Sequence, residues 1–93
     1  MRKGGLALRE QKLPPEYSRQ ADKFLQSLDK KTEQRLRAGI EKIPLGDIRP
    51  YKGKEGYFRL RIGFYRILFR WVDSERIYLA LIENRNRAYK KGV

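Results

Sequence analysis

The chain has 93 residues, enough for one domain with one thin core. It carries 23 Lys and Arg against 11 Asp and Glu, a formal net charge of +12, which points to an anionic partner: RNA, DNA, an anionic surface or an acidic protein. It has no cysteine and no histidine, which excludes disulfides, thiolate metal sites and every Ser/His or Cys/His arrangement, so any catalysis runs on Arg, Lys, Tyr, Glu or Asp.

Residues 1–5 read as a loose basic start without the apolar region of a signal peptide. The longest apolar run, residues 77–82, is too short to span a bilayer. A soluble, cytoplasmic protein with no membrane partner is the expectation. Residues 6–13 form a weak strand candidate, with Leu6 and Leu8 alternating with Ala7 and Arg9 until Pro14-Pro15. Pro15 and Glu16 suit a first helical turn. Tyr17, Ala21, Phe24, Leu25 and Leu28 then share one stripe at helical spacing. Asp29 is a good cap for a second helix, in which Thr32, Leu36, Ile40 and Ile43 fall on one side and Pro44 and Gly46 end the pattern. Gly39 inside this helix would let the two helices approach closely. Residues 45–56, punctuated by Gly46, Pro50, Gly53 and Gly56, read as a loop. Its Lys52 and Lys54 are either simply solvated or placed to contact RNA.

Residues 57–71 carry the strongest pattern. Phe58, Leu60 and Ile62 alternate with Tyr57, Arg59 and Arg61; after Gly63, Tyr65, Ile67, Phe69 and Trp71 alternate with Arg66, Leu68 and Arg70. This is a hairpin with one apolar face and one arginine-rich face. A two-residue loop at Ile62-Gly63 sets Arg61 opposite Phe64, Leu60 opposite Tyr65, Arg59 opposite Arg66 and Phe58 opposite Ile67. Like charges directly opposite destabilise a sheet, so stacking Arg59 on Arg66 hints at a bound anion, against the plainer alternative of a solvated outer face. Phe69 and Trp71 belong to the core, while Phe64 sits at the hairpin tip. Asp73-Ser74-Glu75 is a tight turn. Residues 77–82 form an interior strand, with Ile77, Leu79 and Leu81 on one face and Tyr78, Ala80 and Ile82 on the other. Residues 84–93 form a basic functional tail in which Tyr89 either packs back on the sheet or stacks on a base. No carboxylates cluster as metal ligands, and no cofactor is called for. The expected fold is a small α+β domain over 1–93, ordered β-α-α-β-β-β, with a helical hairpin on one face of a mostly antiparallel four-stranded sheet.

The ordered set Tyr57-Phe58-Arg59-Leu60-Arg61, then Gly63-Phe64-Tyr65-Arg66-Ile67-Leu68-Phe69, an apolar strand, and Asn84-Arg85-Asn86-Arg87-Ala88-Tyr89-Lys90 resembles the RelE/ParE superfamily of type II toxins. Residues 21–29 look like that family's first helix, and the likeness runs from residue 13 to residue 91. For a RelE-like member it implies a ribosome-dependent mRNA endonuclease. Such an enzyme cuts in the A site by attack of a ribose 2′-hydroxyl on the adjacent phosphate, leaving a cyclic phosphate. It also implies an acidic antitoxin, the ribosome and mRNA as partners. Carried over by position, Arg61 falls where the family has the proton acceptor, Arg66 and Arg85 stabilise the developing charge, and Tyr89 orients or stacks on the RNA. Arg59, Arg87, Lys52, Lys54 and Lys90 supply phosphate contacts. One departure matters. RelE has lysines where this chain has Arg59 and Arg61, and arginine stays protonated, which makes it a poor base; either Arg61 acts electrostatically, or another group such as Glu83 or Tyr89 takes the proton, or turnover is slow. Two alternatives remain: a ParE-like inhibitor of DNA gyrase without nuclease activity, and a non-catalytic nucleic-acid-binding relic of the fold.

Overall fold

The computed structural model describes residues 13–85. Its elements in chain order are β1 (Glu16–Tyr17), α1 (Arg19–Gln26), α2 (Lys30–Glu41), β2 (Asp47–Pro50), β3 (Phe58–Ile62), β4 (Tyr65–Trp71) and β5 (Ile77–Asn84). The sheet has five strands in the order β1-β5-β4-β3-β2, with β1 parallel to β5 and every other pair antiparallel. The expected α+β class holds, with one more strand than the sequence pattern gave.

Helix α1 starts later than Pro15. Ser18 is extended (φ −66°, ψ 164°) and its hydroxyl accepts the Ala21 N–H at 3.1 Å. A serine cap satisfies one of the otherwise unpaired first-turn donors, so the two residues before it are free to pair as β1. The same hydroxyl donates to the Ala80 carbonyl at 2.8 Å, and the Ser18 N–H donates to the Leu79 carbonyl at 2.9 Å. One turn further, the Gln20 amide both donates to and accepts from the Ile82 backbone at 3.0 Å. The start of α1 is thereby tied to the outer edge of β5. Asp29 caps α2 as expected, accepting the Thr32 N–H at 3.1 Å. Those bonds hold its carboxyl below the ordinary aspartate range. Arg37, ion-paired with Glu33 at 2.9 Å, lies 5.3 Å over the Tyr17 ring and links α2 to β1. The strand expected over 6–13 lies outside the described residues except for Leu13, which is an exposed bend.

The helices bury Ala21, Leu25, Leu36 and Ile40 against Leu60, Ile67, Phe69, Ile77, Leu79 and Ile82 on one sheet face. Gly39 serves the sheet rather than the helix pair: a Cβ there would run into Cδ1 of Ile62 on β3. Among the described residues no helix is long and apolar enough to cross a membrane.

Three differences from the sequence pattern shape the opposite face. First, residues 47–50, expected as loop, form the edge strand β2. Ile48, opposite Leu60, packs on the core, and Pro50, opposite Phe58, is tolerated because the strand lies at the edge. Second, the hairpin loop is Gly63-Phe64, so Ile62 pairs with Tyr65, Arg61 with Arg66, Leu60 with Ile67, Arg59 with Leu68 and Phe58 with Phe69. Gly63 has φ +59° and Phe64 does not have positive φ, which is what a type II′ hairpin turn requires with glycine first. Partners thus move by two residues along β4, and both faces keep their composition while Arg59 loses Arg66 as its direct partner. Third, Leu68 pairs with Leu81 but Phe69 pairs with Leu79, leaving Ala80 as a bulge. The bulge shifts the alternation, so Ile77, Leu79 and Ile82 are buried and Leu81 joins the other face.

Candidate nucleic-acid interface

The sheet face away from the helices is assembled in rows by the strand pairings. Residues directly opposite on neighbouring strands share a face. One row reads Asp47, Arg61, Arg66, Glu83; the next reads Arg49, Arg59, Leu68, Leu81. Two like-charged pairs therefore stand side by side, Arg61 with Arg66 and Arg49 with Arg59.

The two rows differ in compensation. The first is bracketed by carboxylates, and Arg66 Nη2 donates to Glu83 Oε2 at 3.0 Å. The second has no acid. Arg49 reaches Asp47 only at 3.8 Å, with both side chains at least half exposed, which is a weak pair. Arg59 is half-buried, and its Nε is buried without a hydrogen-bond partner, as is Arg66 Nε. A buried donor left unsatisfied costs on the order of 1–3 kcal/mol, and more on a charged group, so these two guanidiniums are held on the face with incomplete internal compensation.

A cleft of about 300 Å³ opens over these residues. It is lined by Arg49, Pro50, Tyr51, Lys52, Gly53, Arg59 and Arg66. Four of the seven are cations and none is a carboxylate. The cleft joins the strand arginines to the loop after β2, whose main chain is fixed by the Tyr51 N–H donating to the Tyr57 carbonyl at 2.8 Å.

Of the residues singled out from the sequence, Lys52, Arg59 and Arg66 meet in this cleft. Arg61 lies beside Arg66 in the compensated row and is exposed. Lys54 turns elsewhere, with its Nζ 4.9 Å over the Tyr57 ring. Arg85 follows β5 at the hairpin end of the sheet, where its N–H donates to the Phe64 carbonyl at 2.8 Å. Arg87, Tyr89 and Lys90 lie outside the described residues. Arg49 and Tyr51 were missed. Their signal was the alternation Asp47-Ile48-Arg49, too short to stand out between Gly46 and Pro50. The face continues basic at Arg70, which stacks 5.2 Å over Tyr78.

The described residues contain no group of three Asp or Glu side chains that could hold a metal ion. What the face can do is bind phosphate: guanidinium forks match phosphate oxygens two at a time, and fixed positive charge stabilises a phosphoryl transition state.

Comparison with known proteins places the fold. The solved structures similar to this chain include three toxin–antitoxin complexes. The RelB-RelE antitoxin-toxin complex from Methanococcus jannaschii matches at a TM-score of 0.61 and 21% identity, over 82% of this chain and 96% of that one. The toxin-antitoxin complex RelBE2 from Mycobacterium tuberculosis matches at 0.62 and 22%, over 76% and 95%. The archaeal RelE-RelB complex from Pyrococcus horikoshii OT3 matches at 0.61 and 24%, over 85% and 98%. At these identities the likeness is one of fold. No curated protein sequence matches the chain. A family model does, over residues 16–89, the span that contains the helices, the whole sheet and most of the basic tail. The chain therefore belongs to the family described as ParE toxin of type II toxin-antitoxin system, parDE, within the RelE/ParE superfamily.

Proposed function

We propose that this toxin is a ribosome-dependent mRNA endonuclease and that its open sheet face grips the mRNA phosphates. The observation that carries the reading is the cleft of Arg49, Lys52, Arg59 and Arg66, in which no carboxylate is present and the Arg59 Nε has no partner. In the reaction the ribose 2′-oxygen bonds to the adjacent phosphorus and the bond to the 5′-oxygen breaks, leaving a cyclic phosphate and a 5′-hydroxyl. Arg66 and Arg85 stabilise the added charge on the phosphoryl oxygens. Arg61 stays protonated and contributes charge, not a base. Glu83, beside Arg66 and partly exposed, takes the 2′-hydroxyl proton, and water returns one to the leaving oxygen. Tyr89, Arg87 and Lys90 extend the RNA contact along the tail. An acidic antitoxin lying over the same basic surface holds the toxin in check; the solved structures that share the fold are themselves complexes of RelE with RelB.

A second reading is favoured by the family description itself and by arginine at both positions 59 and 61: a gyrase inhibitor that cuts nothing. Mapping mRNA 5′ ends on translating ribosomes decides between them. Codon-positioned cuts that disappear in Arg66→Ala and Arg85→Ala support the nuclease. Arrested growth with intact mRNA and inhibited supercoiling overturns it in favour of gyrase.

A further inference from the structure

Tyr51 sits in the wall of the cleft with four cations around it, yet the charge chemistry of the face gives it no task. Its ring lies so close over Gly53 that a Cβ there would meet Cε2, Cζ and the hydroxyl at 2.6, 2.7 and 2.8 Å. Its main chain is held at both ends of the peptide, by the Tyr57 carbonyl at 2.8 Å and the Lys54 N–H at 3.4 Å. Glycine at position 53 therefore admits an aromatic ring at the rim beside Arg49 and Arg59. The cleft, about 300 Å³, has room for more than an isolated phosphate. Arg66 already has Glu83 as a partner, whereas Arg49, Lys52 and Arg59 stand without a strong one.

We propose that Arg49 and Tyr51 complete a subsite for one whole nucleotide of a single strand. The nucleotide's phosphate lies between Arg49 and Arg59, with Lys52 adding charge from the loop, and its base stacks on the Tyr51 ring. The phosphate pairs with the Arg59 guanidinium from the cleft side and relieves the repulsion of the Arg49–Arg59 pair. Stacking is tolerant of base identity because every base has a π-face, so the subsite selects a single strand over a duplex and not one sequence over another. The inference rests on the face being a nucleic-acid surface but not on cleavage.

The test is calorimetric titration of the full chain with the 2′-deoxy pentamer (dT)5, which has no 2′-hydroxyl to react, and separately with inorganic pyrophosphate, which has no base. Tyr51→Leu is expected to weaken (dT)5 by at least about 5-fold, the low end for loss of one stacked base, and to leave pyrophosphate unchanged. Tyr51→Phe keeps wild-type affinity for both, and Arg49→Gln weakens both. Unchanged (dT)5 binding in Tyr51→Leu overturns the subsite. Equal loss of both ligands in that variant also overturns it, making Tyr51 a scaffold of the loop. Absence of binding to either ligand by the wild type overturns it as well. If instead mRNA is not cut on ribosomes while these affinities behave as expected, the nuclease reading fails and the subsite stands.

Discussion

Arg66 and Glu83 face each other across β4 and β5, and Arg66 Nη2 donates to Glu83 Oε2 at 3.0 Å with the two side chains 28% and 39% exposed. The carboxylate occupies one edge of the Arg66 guanidinium, the group that phosphate contacts in the proposed function. At this exposure the pair adds little to stability, about 0–1 kcal/mol after solvent screening. Its effect is on ligand exchange. Glu83→Gln is expected to tighten pyrophosphate binding more than Glu16→Gln, a matched charge change on a carboxylate that pairs with Arg76 instead. In the nuclease reading the same variant cuts mRNA more slowly, because the proton acceptor is gone. Binding up with cleavage down is the combination to look for in parallel titrations and 5′-end maps.

Arg59→Ala removes a cleft cation whose Nε has no hydrogen-bond partner among the described residues. For a single strand, each phosphate neutralised contributes about 0.7 to the slope of log K against log salt. The variant's (dT)5 affinity, measured across a salt series, should show a slope shallower by about that amount. An unchanged slope means that Arg59 touches no phosphate.

Phe69 is buried to 1% exposure, stacks on Phe58 with centroids 5.7 Å apart, and sits beside the β5 bulge. Phe69→Ala should cost about 3–5 kcal/mol, as truncations of buried aromatics do. Single domains are stable by only about 5–15 kcal/mol, so the variant should lose most of its cooperative urea transition.

Gly63 turns the β3–β4 hairpin at φ +59°. A side chain there strains the backbone by about 1–2 kcal/mol, and an added Cβ would approach Arg35 Nη2 at 3.2 Å. Gly63→Ala should therefore lower the melting temperature by several degrees, about 4–8 °C per kcal/mol in a domain of this size. Phe64→Ala at the exposed neighbouring position should not.

Asp29 gives the fold a pH dependence of known sign. Hydrogen bonds from Thr32 hold its carboxyl below the ordinary aspartate range, so its stabilisation is present above that range and is lost as pH falls through the lowered value. Tyr17 works at the other end. Burial pushes its phenol up, so its contribution is present below the ordinary tyrosine range and is lost as pH rises through the raised value. Thermal melts across pH should show both losses. Asp29→Ser keeps a cap and should flatten only the acid limb.

The face assignment was legible in the sequence because alternation survives a two-residue change of pairing: Arg59, Arg61 and Arg66 lie outward under either hairpin loop. Their partners were not legible, since they depend on which loop position glycine takes, and Gly63 fits both a first and a second position on composition alone. β2 was hidden because a four-residue edge strand in which Ile48 packs on the core and the other three residues are exposed leaves no periodic signal. With β2 went Arg49 and Tyr51. The helices were easier, each having a capping side chain and an apolar stripe, although Pro15 advertised a start that Ser18 supplied.

Ala80 has a consequence for how β5 can vary. That one extra residue works as a frame shift: upstream of it the strand faces the core through Ile77 and Leu79, and downstream through Ile82. Straighten the bulge with Ala80 kept in the zigzag, and Glu83 would be aimed at the helices and Ile82 at the solvent; delete Ala80, and a regular strand leaves Leu79 and Ile82 inward and Glu83 outward. A one-residue insertion in β5 that is not taken up as a bulge therefore exchanges the inside of the protein with its working surface, whereas deletion of Ala80 does not. Lineages of this toxin should therefore tolerate the loss of one residue at position 80 of β5, where the bulge disappears, better than a one-residue change elsewhere in the strand.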